Sequence, residues 1–250
     1  MSKRTATPVL VDTIPLLEAC IKDVTAPENT KLAVDLEGVD LCRNGRVSII
    51  QLFAKNSDII WLVDVTVLGR LAFEHKDAST NDCSLKDVLE STNIVKLLYD
   101  VRNDADALYN LYQVDMKNTY DLQLLEVASR RALRLRVKFI CGLAKAMTTY
   151  LSPPSSVTQI KEDGVALFRP EKGGSFEVFE RRPLDPRIIL YCAQDVAVLF
   201  QLEAVLENTI RGSLEGWHDR VVKASAKRVN EAHSRYYDGD GPHRAIAPMI

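Results

Sequence analysis

Residues 31–39 read KLAVDLEGV, a short apolar run that contains two carboxylates. The apolar members of this run are typical of a buried β-strand, namely Leu32, Ala33, Val34 and Leu36. Because residues two apart in a strand point to the same face, we expect Asp35 and Glu37 to lie side by side. Mutual repulsion and desolvation oppose ionisation of both, and a bound divalent cation would relieve this conflict. The alternative is that DLEG is a strand end turning into solvent.

A second acidic position occurs in KLLYDVRNDADALYNLY, residues 96–112. This stretch predicts a short strand that ends near Tyr99 and is followed by a helix. Asp104 shares a helical face with Leu108 and Leu111, so its carboxylate is expected to point inward. The alternative is an ordinary acidic residue that caps the first turn of the helix.

A third element is LDPRIILYCAQDVAVLFQLEAVLE, residues 184–207, which predicts one helix. Asp185 has the residue type of an N-cap, and Pro186 suits the first helical position. Tyr191 and Asp195 are four residues apart and therefore lie together on one side of the helix. The alternative is a surface Tyr-Asp pair on an amphipathic helix.

Taken together, VDLEG, YDVRNDADAL and YCAQDVAVL resemble the three motifs of the DEDDy branch of 3′-5′ exonucleases, which includes RNase D, the Werner-syndrome exonuclease domain and Egalitarian. The resemblance covers about residues 30–208, keeps the motif order, and extends to RVSIIQLFA at 46–54 and to Arg182-Pro183-Leu184. It is closest to single-domain, Egalitarian-like members. Tyr99 stands where relatives often have His, which bears on substrate detail.

The resemblance implies a catalytic set of Asp35, Glu37, Asp104, Tyr191 and Asp195. The four acids would bind two divalent cations, Mg²⁺ or Mn²⁺, since oxygen ligands suit both ions. Asp35, Glu37 and Asp195 would hold one ion, and Asp35 would bridge to a second that Asp104 supports through water. Tyr191 would orient the attacking water, because a phenol with a pKa near 10 is a poor base at neutral pH.

The implied function is metal-dependent hydrolysis of RNA or single-stranded DNA from a free 3′ end, which releases nucleoside 5′-monophosphates by a two-metal mechanism. The alternative is a catalytically silent, nucleic-acid-binding adaptor of the Egalitarian type. Adaptors in this family tend to lose one or more metal-binding acids, whereas this chain keeps them all. We therefore favour the enzyme.

The order of apolar runs predicts an α/β fold. Five strands are expected at 31–36, 46–54, 58–65, 94–99 and 118–121, and helices at 85–90, 102–112, 122–129, 138–150 and 186–209. Short turns between the first three strands favour an antiparallel meander, followed by strands that alternate with helices. The expected architecture is a mixed five-stranded sheet with helices on both faces, as in the ribonuclease H-like fold. We expect an exonuclease domain at 1–210 and a helical extension and tail at 211–250.

Composition fits an ordinary globular protein, with 250 residues, 46% hydrophobic, 26% charged and a net charge of −2. The five cysteines show no Cys-x-x-Cys pairing, so neither a disulfide framework nor a zinc site is indicated. We expect neither a secretory signal nor an apolar run as long as a membrane span. An intracellular location, cytoplasmic or nuclear, and no membrane partner follow as expectations.

A basic tract is the first candidate for nucleic-acid contact. Residues 127–161 contain no acidic residue, and their cations could attract a phosphate backbone. The main candidates are Arg130, Arg131, Arg134, Arg136 and Lys138. The alternative is a solvated surface without a binding role.

A second candidate is the stretch 151–185, which is expected to form a long irregular segment near the active site. Phe176, Phe179, Arg181 and Arg182 within it could stack on bases or contact phosphates. The alternative is that SFEVF is a short packed strand, because alternating aromatic residues are typical of strands.

After residue 210 the sequence predicts a polar helix and a surface tail. The sparse apolar side of this helix would comprise Trp217, Val221, Val222 and Val229. The pattern does not choose between docking on the core, partner binding and substrate contact for the tail.

Overall fold

The computed structural model describes residues 6–213 and 215–250. Its strands and longer helices, in chain order, are β1 (Thr7–Val11), α1 (Ile14–Val24), β2 (Lys31–Val39), β3 (Arg46–Ala54), β4 (Ile59–Asp64), α2 (Val65–Leu68), α3 (Leu71–Glu74), α4 (Leu85–Glu90), β5 (Val95–Leu98), α5 (Arg102–Tyr112), β6 (Thr119–Asp121), α6 (Leu122–Ala132), α7 (Leu143–Ala146), α8 (Ser155–Phe168), α9 (Pro186–Ala197), α10 (Leu199–Ile210) and α11 (Trp217–Ala232).

The six strands form one mixed sheet in the order β1-β4-β3-β2-β5-β6. β2, β3 and β4 are the antiparallel meander that the short turns predict. β5 pairs parallel with β2, β6 pairs parallel with β5, and β1 pairs parallel with β4 at the other edge. The predicted mixed α/β sheet is confirmed, and its strand count is six rather than five.

Alternation along β2 separates two cores, one on each face of the sheet. Leu32, Val34 and Leu36 belong to the core that contains α1, α4 and α5. Ala33 belongs to the opposite core, built with α6, α9, α10 and α11. Because successive strand residues face opposite sides, Asp35 and Glu37 share the face of Ala33. Both carboxylates are thereby directed toward α9.

The strand that the sequence pattern does not predict, β1, lies at the edge of the sheet. Its sequence, TPVLV, contains Pro8, and a proline inside an apolar run argues against a central strand because it cannot donate to the ladder. An edge position tolerates it. The proline thus indicates the strand's place in the sheet rather than its absence.

Residues 151–185 are not one irregular segment. Ser155–Phe168 form the 14-residue helix α8, and Phe176–Phe179 form a 3₁₀ turn rather than a strand. Pro153-Pro154 before the helix and Gly164 inside it obscure its pattern, since both residue types usually mark turns. Gly164 is buried, and its role is in packing.

The helix predicted at 138–150 is shorter and starts later. α7 starts at Leu143 and continues into a π-helical turn, Met147–Leu151. The residues before it pair with the C-terminal tail, because Phe139 forms an antiparallel bridge with Ile246. This long-range pairing replaces the first turn of the predicted helix.

The helix predicted at 186–209 is two helices that meet at Val198. The helix predicted after residue 210 is present as α11. Trp217, Val221 and Val229 are buried in it as expected, whereas Val222 is exposed.

Pro186–Ile210 is, by length and apolar composition alone, a stretch that could cross a membrane. The expectation that no run reaches such a length is therefore wrong for this region. More than half of its most apolar window is buried inside the fold, as in the core helix of a globular domain. It also carries Asp195, which is 3% exposed.

Candidate active site

The first two acids are fixed by the pairing of β2 with β3. Asp35 lies opposite Gln51, and Glu37 lies opposite Ile49. The register then shifts between Glu37 and Gly38, as in a β-bulge, which bends a strand and re-aims its side chains. A Cβ at Gly38 would lie 1.9 Å from the carbonyl oxygen of Arg46. Only glycine therefore fits directly after Glu37 in this backbone.

The third acid comes from α9, whose start follows the predicted cap. The Asp185 side chain accepts a hydrogen bond from the backbone N–H of Arg187 at 2.8 Å, and Pro186 occupies the first turn. Tyr191 and Asp195 are both buried, at 6% and 3% exposed. One helical turn separates them, so the phenol and the carboxylate reach the same region above β2.

Asp35, Glu37 and Asp195 form a compact carboxylate cluster, in which ligand oxygens of all three lie within 4.8 Å of one another. Burial, and then the charge of Asp195, raise the pKa of Asp35 to about 8. Burial, followed by the charges of Asp35 and Asp195, also raises the pKa of Glu37 well above its ordinary value. Like charges in a partly desolvated site oppose each other's ionisation, so the cluster as folded favours a cation.

Asp104, in the first turn of α5, lies outside that triple but close to it. Burial, and next the charge of Asp35, raise its pKa well above the ordinary value. Asp104 is not the N-cap residue of α5, because Val101 occupies that position and the helix starts without a side-chain cap hydrogen bond. Asp104 is 6% exposed, which places a further buried acid beside the cluster.

The turn that precedes α5 is held by Asp121 at the end of β6. Its carboxylate accepts hydrogen bonds from the backbone N–H groups of Asp100 at 2.9 Å and Val101 at 3.1 Å. Arg228 of α11 donates to the same carboxylate at 2.6 Å. A residue far along the chain therefore supports the Asp104 helix, and no sequence motif indicates it.

Tyr191 packs against α8. A Cβ at Gly164 would lie 2.6 Å from three side-chain atoms of Tyr191, and Phe168 contacts its ring edge-on at a centroid distance of 5.2 Å. Burial, and then the charges of Glu37, Asp195 and Asp35, raise the pKa of the phenol well above its ordinary value. Its hydroxyl therefore keeps its proton close to three carboxylates.

The structure adds one residue to this site, Lys161 of α8. Its ammonium forms an ion pair with Asp195 and lies 4.2 Å from the ring centroid of Tyr191. The sequence places Lys161 only at the end of a basic tract. Its position at the acids depends on α8, in a region where the sequence pattern predicts a loop.

The residues present fit a divalent cation. The donor atoms of Asp35, Glu37 and Asp195 are all carboxylate oxygens, and oxygen-only ligand sets suit Mg²⁺ and Mn²⁺ rather than softer metals. A cation would also relieve the repulsion that raises the pKa values of Asp35 and Glu37.

The model of the 3′-5′ exonuclease family matches residues 8–211, most of the chain and all of this acidic site. The chain belongs to the 3′-5′ exonuclease family. Among curated proteins, this exonuclease-family chain is 25% identical over 204 residues to the piRNA biogenesis protein EXD1 of Mus musculus, and the match covers 79% of the chain. The chain spans only 33% of that relative's length.

Solved structures agree on the fold. The Trypanosoma brucei RNase D:GMP complex has a TM-score of 0.71 at 21% identity, with 96% of this chain and 69% of that chain covered. Escherichia coli RNase D has a TM-score of 0.64 at 22% identity, with 90% and 50% covered. These likenesses confirm the ribonuclease H-like fold for this family member.

The basic tract presents a mixed surface in the exonuclease-family domain. Arg130 is engaged by Glu126 and by the carbonyl oxygen of Phe139, at 2.6 Å and 2.9 Å. Arg134 lies 3.3 Å from Glu215, and Arg131 is half-buried. Of the five named cations, Arg136 and Lys138 are exposed and remain the better candidates for phosphate contact.

The two arginines before α9 differ from each other. Arg181 is exposed, whereas Arg182 forms a two-pronged ion pair with the buried carboxylate of Asp64. That pairing ties the segment before α9 to the end of β4. Phe179 is fully buried, so stacking on a base would require it to leave the core.

Tyr99 follows the end of β5. Its hydroxyl donates a hydrogen bond to the carbonyl oxygen of Cys141 at 2.9 Å. The phenol is therefore engaged by the backbone that leads into α7.

Proposed function

We propose that this protein is a divalent-metal-dependent 3′-5′ exonuclease that hydrolyses RNA or single-stranded DNA from a free 3′ end and releases nucleoside 5′-monophosphates. The observation that carries the proposal is the convergence of Asp35, Glu37 and Asp195 within 4.8 Å. Folding alone gives no reason to gather three carboxylates in a partly desolvated site, since like charges there oppose each other's ionisation. Membership of the 3′-5′ exonuclease family supports the same assignment.

In this assignment Asp35, Glu37 and Asp195 would hold one divalent ion, and Asp35 and Asp104 would support a second. Bound Mg²⁺ or Mn²⁺ supplies Lewis-acid activation of the attacking water and stabilisation of the leaving 3′ oxygen. Asp104 lies in the first turn of α5, and Asp121 fixes the turn that precedes this helix through two backbone N–H groups. Such support keeps a functional group in place before substrate arrives.

Tyr191 is proposed to orient the attacking water by hydrogen bonding. Burial and the neighbouring carboxylates hold its pKa well above the ordinary value, so its hydroxyl is protonated at neutral pH and is a poor general base. Gly164 and Phe168 fix the ring. The phenol is therefore a positioned donor and acceptor at the acidic cluster.

The substrate class rests on the neighbours and on the surface charge. Trypanosoma brucei RNase D is solved with GMP and with RNA U12. By analogy, we propose a nucleic acid with a free 3′ end as the substrate of this chain. Exposed Arg136 and Lys138 offer phosphate contacts of the sequence-independent kind.

A second candidate is a catalytically silent nucleic-acid-binding adaptor, which one observation favours. Lys161 already pairs with Asp195, so part of the cluster's charge is balanced by the protein itself. In an adaptor the acids would be structural, and metal would change neither oligomer length nor protein stability.

The test is a time course with 5′-labelled RNA and DNA oligomers in Mg²⁺, in Mn²⁺ and in EDTA. The native chain is compared with Asp35→Ala and Asp104→Ala, and with the exposed control Asp12→Ala. The enzyme gives a ladder that shortens from the 3′ end, requires metal, and is lost only in the first two variants. Intact oligomers that remain bound by well-folded native protein would favour the adaptor.

A further inference from the structure

Lys161 is a largely buried cation at the centre of an acidic site. Its side chain is 16% exposed, and its ammonium pairs with Asp195, whose side chain is 3% exposed. It also lies over the face of the Tyr191 ring, 4.2 Å from the centroid. Lysine is rarely so buried unless it is paired, and here its partner is a member of the carboxylate cluster.

The packing of α8 on α9 determines this position. The side-chain amide of Gln194 donates to the carbonyl oxygen of Val157 at 2.8 Å. One turn further along α8, Lys161 meets Asp195, and the next turn brings Gly164 against Tyr191. The two helices thus contact each other at three successive levels. The α8–α9 interface therefore fixes the position of Lys161, whereas a lysine on the protein surface can pair with whichever acidic residue is nearest.

The charge of Lys161 reaches beyond Asp195. Burial is the largest influence on the pKa of Asp35 and of Glu37 and raises both, and neighbouring acids raise them further. Lys161 acts in the opposite direction and lowers the pKa of both residues. It therefore provides the cluster with positive charge from within the fold.

We propose that Lys161 is a resident counter-cation of the acidic cluster, with which a divalent metal ion has to compete for Asp195. The inference rests on the proposed function in one respect, namely that the cluster is a metal site. It makes Lys161 a positioning residue that sets metal affinity and keeps the carboxylates together in the absence of metal.

Two opposite effects follow from removing this charge. Without metal, the buried Asp195 carboxylate loses its charged partner, so the fold becomes less stable. With metal, the cluster carries one more net negative charge and the competing ammonium is gone, so the ion binds more tightly. If the Lys161–Asp195 ion pair were only structural, removal of Lys161 would lower the stability without tightening metal binding, because loss of the pair would also disorder the metal ligands.

The experiment compares the native chain with Lys161→Met, Lys161→Arg and the exposed control Lys172→Met. Thermal unfolding measures stability, and electron paramagnetic resonance or calorimetry measures Mn²⁺ binding. We expect Lys161→Met to melt several degrees lower in EDTA and to bind Mn²⁺ about tenfold more tightly than the native chain. Lys161→Arg, which keeps the charge, and Lys172→Met should stay near native values. Unchanged or weaker Mn²⁺ binding by folded Lys161→Met overturns the inference.

The proposed function can fail separately. If the native chain and Asp35→Asn bind Mn²⁺ equally poorly, the cluster is not a metal site, and both proposals fall. If Asp35→Asn abolishes binding while Lys161→Met binds like the native chain, only the role of Lys161 is overturned.

A measurement on the native chain covers the case in which Lys161→Met does not fold. Lysine acylation is mapped by mass spectrometry in EDTA and in saturating Mg²⁺, with Lys172 as the internal reference. Displacement by the metal predicts that labelling of Lys161 rises about threefold or more relative to Lys172, since an amine released from its carboxylate partner and from its buried position is more accessible to the reagent. Unchanged or reduced labelling would count against the counter-cation.

Discussion

Gly164 of α8 lies directly against Tyr191 of α9, so that a Cβ at Gly164 would be 2.6 Å from the Cβ, Cγ and Cδ2 atoms of the tyrosine. This approach brings the neighbouring helical turn, with Lys161, onto Asp195. The position of a whole helix over the acidic site therefore depends on the absence of one methyl group.

Gly164→Ala should destabilise the protein by about 1–3 kcal/mol, because overpacking forces side chains or helices apart. Alanine is the better helix former by up to about 1 kcal/mol, so a net loss isolates the steric effect. Chemical denaturation measures it. Gly212→Ala is the matched control, since a Cβ there meets nothing within 4 Å. Equal stability of both variants would show that α8 does not dock as described.

Tyr191→Phe should separate packing from chemistry. The ring contacts with Gly164, Phe168 and Lys161 do not use the hydroxyl, so stability should change by less than about 1 kcal/mol. Loss of a water-orienting hydroxyl should lower kcat by about 100-fold. Single-turnover cleavage and thermal unfolding check the two parts, and full activity in the folded variant would remove Tyr191 from the proposed mechanism.

Asp35→Asn should change stability in a pH-dependent manner when metal is absent. Asp35 has its pKa raised from an ordinary 3.8 to about 8, so the folded state holds this proton more tightly than the unfolded chain. The contribution of Asp35 to the free energy of unfolding is therefore fully present below about pH 4 and is lost as the pH rises toward 8. The variant lacks this loss and should exceed the native chain by roughly 1–3 kcal/mol at pH 8 in EDTA.

Unfolding of both proteins from about pH 5 to about pH 8.5 tests this prediction, with exposed Asp12→Asn as control. Saturating Mg²⁺ should remove or reverse the advantage, because a ligand that binds only the native fold stabilises it. A stability difference between Asp35→Asn and the native chain that stays constant with pH would contradict the charge conflict.

Arg228→Met should destabilise the protein by about 3–5 kcal/mol, because it leaves Asp121 buried without its charged partner. Asp121 is fully buried and also anchors the turn that precedes α5, the helix that carries Asp104, so cleavage should fall as well. A double-mutant cycle with Asp121→Asn measures the coupling. Strict additivity of the two changes would mean that the pair does not act as a unit.

Charge reversal of exposed Arg136 and Lys138 should weaken oligonucleotide binding and flatten its salt dependence. For a single strand, removal of one phosphate contact reduces the slope of log K against log salt by about 0.7. Fluorescence anisotropy across a salt series gives the slope, with Lys55→Glu/Lys223→Glu as a matched double reversal of exposed lysines. An unchanged slope would remove this part of the basic tract from the binding surface.

The sheet, and the faces on which the acids lie, can be predicted from the sequence because both depend on local patterns. Alternation in KLAVDLEGV places Asp35 and Glu37 on one face of β2, and the spacing of Tyr191 and Asp195 places them on one side of α9. Five strands follow from apolar runs in the same way. Edge strand β1 escapes prediction because Pro8 is acceptable only where the sheet ends.

Features set by contacts between distant segments could not be predicted. Gly164 signals a break in a helix unless Tyr191 is known to lie against it. Lys161 and Arg228 bear on the site through partners 34 and 107 residues away, and neither lies in a motif. Such pairings belong to tertiary packing, which overrides local propensity.

The most direct test of the proposed exonuclease activity is the identity of the first product released from a uniformly labelled single-stranded RNA oligomer with a free 3′ end. We predict nucleoside 5′-monophosphate from the earliest time point, progressive shortening from the 3′ end, and the absence of both in EDTA and in Asp35→Asn. Internal fragments, 3′-phosphorylated products, or an intact oligomer that folded native protein still binds in Mg²⁺ would contradict it.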